Sequence, residues 1–249
     1  MRLLLAAILF PVFVQAHMSD SSYQLVALSQ QLLQAVKTEQ PTAALVQQLS
    51  TCSLPQLQKE LATHDAGLAF WINIYNAYTQ LLLQQDPEAY QHRSRFFSRR
   101  QISIAGNQLS LDLIEHGIIR REWKWGLGYV KRWFPGKLER QLRLPRKDYR
   151  IHFALNCGAR SCPPILFYTS QQLQQQLEQA EAAFVKADAE KDSSGTIVTI
   201  SKIYSWFPGD FGGKKGIKAL LAKHGVIAPG QRVRLRYRPY NWQLALKAF

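Results

Sequence analysis

Apolar residues recur along this chain with two periods, and the helical one dominates. Leu and Val repeat at helical spacing over 23–36, and a second short helix is predicted over 42–49, after Pro41. Ser53 stands before Leu54-Pro55, a helix start with its cap and a proline in the first turn. The strongest helix covers 66–84 and contains FWINIYNAY (70–78), apolar on most sides. A helix with so little polar face belongs at the centre of a fold. ISIAGNQLSL (102–111) alternates on either side of Ala105-Gly106-Asn107 and predicts a hairpin. A helix capped by Ser110 or Asp112 follows, running to residue 121. Period two returns over 149–156, with Ile151, Phe153 and Leu155 on one face and His152, Ala154 and Asn156 on the other, which predicts a strand. Beyond it come a glutamine-rich helix from a Thr169 cap to 187, a strand over 195–200, a helix over 214–224 and a late strand over 232–238. No internal repeat or low-complexity linker interrupts this order. The fold class expected is α+β, a central buried helix packed on a small, mostly antiparallel sheet, with residues 17–65 as an N-terminal helical extension to a domain over 66–249.

The first sixteen residues, MRLLLAAILFPVFVQA, stand apart from this periodicity. One positive residue, an apolar run and a small-residue ending read as a secretory signal peptide over 1–16. The run is shorter than the roughly 20 apolar residues of a spanning helix, so no transmembrane span is expected after cleavage. With no cysteine in the first 51 residues, a lipid-modified cysteine near the cleavage site is not available. The expected location is the periplasm or the exterior, where cysteines oxidise. Cys157 and Cys162 lie five positions apart with a glycine between them, and their disulfide would stabilise the fold by about 2 kcal/mol. Cys52 is then left over. Neither a paired Cys-x-x-Cys nor a His-x-x-x-His stands nearby, so no metal or cofactor is expected.

The net charge of +14 is unevenly spread. Residues 93–150 hold 15 Lys/Arg against 5 Asp/Glu, and residues 214–249 hold 9 with no acid. Such faces attract polyanions: an anionic envelope polymer or lipid headgroups, with a protein partner as the other option. No nucleic-acid motif accompanies them.

Three stretches carry candidate chemistry. In FWINIYNAY, Asn73, Asn76 and Gln80 share one helical face, either to tie loops to the helix or to orient a histidine. In LDLIEHGIIRR (111–121), Glu115 and His116 are adjacent and point about 100° apart on an α-helix, so each needs a partner elsewhere. In IHFALNCGARSCPPI (151–165), an extended strand would put His152 and Cys157 roughly 16 Å apart. That argues against a Cys157–His152 dyad and leaves His152 to pair with Glu115 or the amide strip. Cys157 becomes a nucleophile only without the bridge, with His116 as the base to test.

Five motifs in order, AFWINIYNAY, IEHGIIR, IHFALNCGARSCPPI, WFPGDFG and YNWQLAL, resemble the domain of unknown function 547 family over 68–246. The resemblance implies an α+β domain of envelope proteins, with a remote papain-like relationship and no settled reaction. Its polar signature falls on Asn73, Asn76, Glu115, His116, His152, Cys157 and Cys162. The family usually has an acid where Asn241 stands, which implies weakened activity if that acid orients a histidine. The function expected is a non-catalytic exported module that binds an anionic envelope polymer or a protein. The alternative is a papain-like hydrolase or acyl-transfer enzyme using His152 with Glu115 or Asn76.

Overall fold

The computed structural model describes residues 24–249, so the leader expected over 1–16 lies outside the described residues. Four helices open the described chain: α1 (Gln24–Lys37), α2 (Ala43–Thr51), α3 (Leu54–Glu60) and α4 (His64–Gln85). Ser53 caps α3 by accepting from Gln56 N at 3.1 Å, and Thr63 caps α4 by accepting from Ala66 N at 3.2 Å. Every residue of α4 from 66 to 80 is buried, as its nearly unbroken apolar surface requires. α1 lies along it through Leu25, Leu32 and Leu33, so the N-terminal helices share the core of the rest of the domain.

After α5 (Arg93–Ser98) comes the predicted hairpin, β1 (Ile102–Ile104) and β2 (Asn107–Leu109), paired from Ile102↔Leu109 to Ile104↔Asn107. Its two-residue turn, Ala105-Gly106, has φ of 50° and 71°, the left-handed pair that matches strand twist. α6 (Lys137–Leu142) leads through a long connection to α7 (Leu173–Asp188). The remaining elements are β3 (Glu190–Lys191), β4 (Ile197–Ser201), α8 (Ile203–Trp206), α9 (Gly213–Lys223) and β5 (Arg234–Arg238). β3 pairs antiparallel with β4, and β4 pairs parallel with β5. The fold is α+β.

Apolar side chains gather in two clusters. The larger one surrounds α4 and takes in α1 and the hairpin; the smaller one lies under β4, α8 and α9. The buried Glu181 carboxylate of α7 binds Tyr149 Oη at 2.6 Å and His224 Nε2 at 2.7 Å, which ties α7 to the end of α9.

Two predicted elements differ. Residues 149–156 do not form a strand: Tyr149–Phe153 is a 3₁₀ turn, started by Asp148, whose Oδ1 accepts from Arg150 N at 3.0 Å. The alternation there records burial on both sides, because Ile151 enters the larger core and Phe153 the smaller. The predicted α-helix of residues 110–121 is also altered, since Leu113–Ile119 winds as a π-helix.

Candidate active site

The π-turn gathers the first polar groups. Arg120 N donates to Glu115 O at 2.8 Å, the wide closure typical of a single-turn insertion at a functional position. Four residues apart, Arg120 Nη1 and His116 Nδ1 lie 2.8 Å from each other. A guanidinium can only donate, so Nδ1 accepts and the His116 proton sits on Nε2. Burial, reinforced by Arg120 and only partly opposed by Glu115, keeps this imidazole below its ordinary range and neutral. From α4, Tyr75 Oη donates to Glu115 Oε2 at 3.1 Å. Burial pushes the Glu115 carboxyl up, but the Arg120 guanidinium and the Tyr75 hydrogen bond outweigh it, so Glu115 is a carboxylate.

The loop between α8 and α9 supplies the next group, Asp210. Its Oδ2 accepts from His152 Nε2 at 2.8 Å and from Arg120 Nε at 2.8 Å, and its Oδ1 lies 3.2 Å from Lys147 Nζ. Two glycines allow the approach. A Cβ on Gly209 would stand 2.4 Å from Gly128 O, and one on Gly128, where φ is 81°, would stand 2.5 Å from Asp210 N. Burial works to raise the Asp210 carboxyl; the His152 hydrogen bond and the Arg120 charge overcome it and hold the acid well below its usual range.

With its charge matched by Arg120 and Lys147, Asp210 does not need an imidazolium partner. Burial therefore prevails at His152 and lowers it below its ordinary 6.5, to a neutral ring. The carboxylate demands a donor, which fixes the proton on Nε2. Nδ1 is left as the basic nitrogen, without a hydrogen-bond partner among the described residues. Phe207 stacks on the ring at 4.5 Å and 15° and also carries the Arg120 guanidinium 4.3 Å from its centroid.

These groups border a cavity of about 320 Å³ at the seam between the two apolar clusters. Glu115, His116 and His152 line it together with the Asp112–Lys124 pair, and Phe97, Leu127, Leu155, Trp206, Phe207 and Trp242 form much of the rest. An apolar cleft with a few convergent polar groups is the usual form of a small-molecule site.

Cys157 also lines it, with Cys162 alongside, and both are free thiols here, where a disulfide is expected from the sequence. Cys157 N donates to Cys162 Sγ at 3.1 Å, and Tyr240 Oη lies 3.1 Å from Cys162 Sγ and 3.5 Å from Cys157 Sγ. Its hydrogen bond to Cys162, together with burial, pushes the Cys157 thiol well up. At Cys162 burial pulls the same way, but the donated hydrogen bonds win and draw that thiol down. Cys157 is thus the more firmly protonated thiol of the pair, the opposite of an activated nucleophile.

Glu115, His116, His152 and Cys157 therefore meet in one cavity, although the strand geometry would have kept His152 and Cys157 apart. Asn73 and Asn76 do not reach it. Asn73 binds both the N–H and the C=O of Tyr168, at 3.0 and 2.8 Å; Asn76 binds Ala154 O at 2.9 Å and Asn156 N at 2.8 Å. The amides tie loops to α4, and Asn76 fixes the backbone just after His152. Asn241 closes a local turn, its Oδ1 accepting from Gln243 N at 2.9 Å, and has no contact with His152. The acid that does is Asp210, with Arg120 as its counter-ion; the sequence reading missed both. Asp210 is the only acidic residue after Asp192 and lies in a glycine-flanked aromatic loop, a signal that points to it.

Residues 59–185, just over half of the chain, match the family described as "Protein of unknown function, DUF547". The chain belongs to this family. The DUF547 match contains Tyr75, Glu115, His116, Arg120, His152 and both cavity-side cysteines, whereas Asp210 and Tyr240 lie beyond its end. No curated protein and no solved structure matches the chain, and a papain-like relationship has no support from the fold. Among the described residues, no helix is long and apolar enough to cross a membrane, and no group of three or more His, Cys, Asp or Glu is placed to hold a metal ion.

Proposed function

We propose that this protein is an exported enzyme that hydrolyses or transfers acyl groups, with His152 as general base. One observation carries the reading: the buried 2.8 Å bond from His152 Nε2 to Asp210, on the wall of an apolar cavity. As water, or an acceptor hydroxyl, adds to the substrate carbonyl, its proton passes to His152 Nδ1. Asp210 holds the ring in the required tautomer and stabilises the imidazolium as it forms, and the leaving group takes the proton back. Glu115, oriented by Tyr75, faces the cavity as an acceptor for a substrate hydroxyl or amine. The aromatic walls suit an apolar acyl group. Cys157, a thiol hydrogen-bonded to Cys162, stays out of the chemistry.

A binding-only reading, in which basic faces hold an anionic envelope polymer, has the exposed Lys and Arg side chains in its favour. It gives the buried His–Asp–Arg assembly no use. Export rests on the 1–16 segment, and cell fractionation with intact-mass measurement tests it: a periplasmic or secreted protein cleaved after Ala16 is expected, and a full-length protein confined to the cytoplasm would exclude it.

The function is tested with a panel of nitrophenyl esters of short to long acyl chains. Turnover should rise with pH through the His152 titration, which lies below 6.5, and level off above it, because only the neutral ring accepts a proton. Turnover of every ester no higher than in His152→Ala would sink the reading.

A further inference from the structure

Among the described residues, six large apolar side chains stand exposed, and five of them lie between 125 and 134. Trp125, Trp133 and Phe134 are 69%, 70% and 90% exposed, with Leu127 and Tyr129 between them. Soluble surfaces seldom collect such a patch without a use for it. The segment is firmly built: Trp123 N donates to Val130 O at 2.9 Å, and Arg132 N donates to Arg121 O at 3.1 Å. Trp125 stacks on Trp123, whose ring carries the Arg132 guanidinium at 4.2 Å.

The exposed charge around the patch is mostly basic, with Lys124 paired to Asp112. Glu122 and Glu139, the acids of residues 120–147, are both buried and already engaged, Glu122 by Lys147 and Glu139 by Arg132 and Arg143. Lys131, Lys137 and Arg146 are exposed and form no ion pair among the described residues. The outward face is therefore basic, interleaved with aromatic rings.

We propose that residues 123–146 dock this protein onto an anionic lipid bilayer. A water-soluble polyanion satisfies the lysines and arginines but offers Phe134 and Trp133 nothing to sink into. A bilayer interface takes both: aromatic rings settle at headgroup level, and basic side chains pair with anionic headgroups. Leu127 belongs to the exposed patch and to the cavity wall, so docking places the cavity mouth beside the lipid surface. The docking claim does not depend on the cavity being catalytic.

The test is flotation of the mature protein with vesicles of phosphatidylcholine alone or mixed with phosphatidylglycerol. Co-flotation with the anionic vesicles is expected, with tryptophan emission moving to shorter wavelength and binding falling as salt rises. Trp133→Ser/Phe134→Ser should weaken it on the order of tenfold or more, while keeping the wild-type thermal midpoint because both rings are exposed. Lys131→Glu/Arg146→Glu should weaken it as well. Absence of vesicle binding would overturn the proposal, as would binding that the aromatic substitutions leave unchanged. Equal retention on dextran sulfate by the wild type and the aromatic variant, with no flotation, would assign the surface to a soluble polyanion instead.

Discussion

Asp210→Asn is expected to lower acyl-ester turnover by about 10³–10⁴-fold while leaving the protein folded. The substitution is nearly isosteric, so the loop held between Gly128 and Gly209 keeps its path. What changes is the partner of His152. A carboxylate oxygen accepts unconditionally and fixes the ring proton on Nε2; an amide can turn its NH₂ towards the ring and draw the proton to Nδ1, where the base is needed. The negative charge that stabilises the imidazolium is lost too, while Arg120, 2.8 Å from the same oxygen in the native protein, remains and opposes it. His152→Ala should be at least as damaging. Stopped assays on both variants, with thermal midpoints in parallel, check this. A loss under about tenfold in Asp210→Asn would mean that the acid does not orient a working base.

Arg120→Met is expected to destabilise the fold by about 3–5 kcal/mol, the usual cost of removing one partner from a buried ion pair. Arg120 is 1% exposed and binds Asp210 and His116, with Glu122 at 3.8 Å. Its removal leaves two buried carboxylates with Lys147 as their shared cation and strips the donor from His116 Nδ1. For a chain of this size the thermal midpoint should fall by about 6–20 °C. Lys131→Ala, an exposed control, should stay within about 0.5 kcal/mol of the wild type. A midpoint for Arg120→Met close to that control would show that the guanidinium does not hold the assembly together.

How much of this was legible in the sequence follows from where each signal is stored. Local signals read correctly: the Ser53 cap, the hairpin at Ala105-Gly106 and the all-round apolar character of α4 are set by near neighbours. Periodicity failed at 149–156 because two cores flank the segment, and alternation cannot tell a strand face from a turn whose sides enter different clusters. Of the candidate site, Glu115, His116, His152 and Cys157 were visible as polar residues in apolar surroundings. Their partners were not, since Asp210 reaches His152 across 58 positions of chain and Tyr240 reaches Cys157 across 83. The π-turn hid Arg120: α-helical spacing gives no reason for a guanidinium to be wholly buried, and the wider turn brings it in.

The central claim is that His152 is a neutral base, oriented by Asp210, at the wall of the cavity. The most direct measurement is ¹⁵N NMR of the histidine rings as a function of pH, with His152 assigned by its disappearance in His152→Ala. The predicted result is a ring that is neutral at pH 7, protonated on Nε2, and titrates below 6.5. A ring charged at pH 7, or neutral with its proton on Nδ1, would contradict the account.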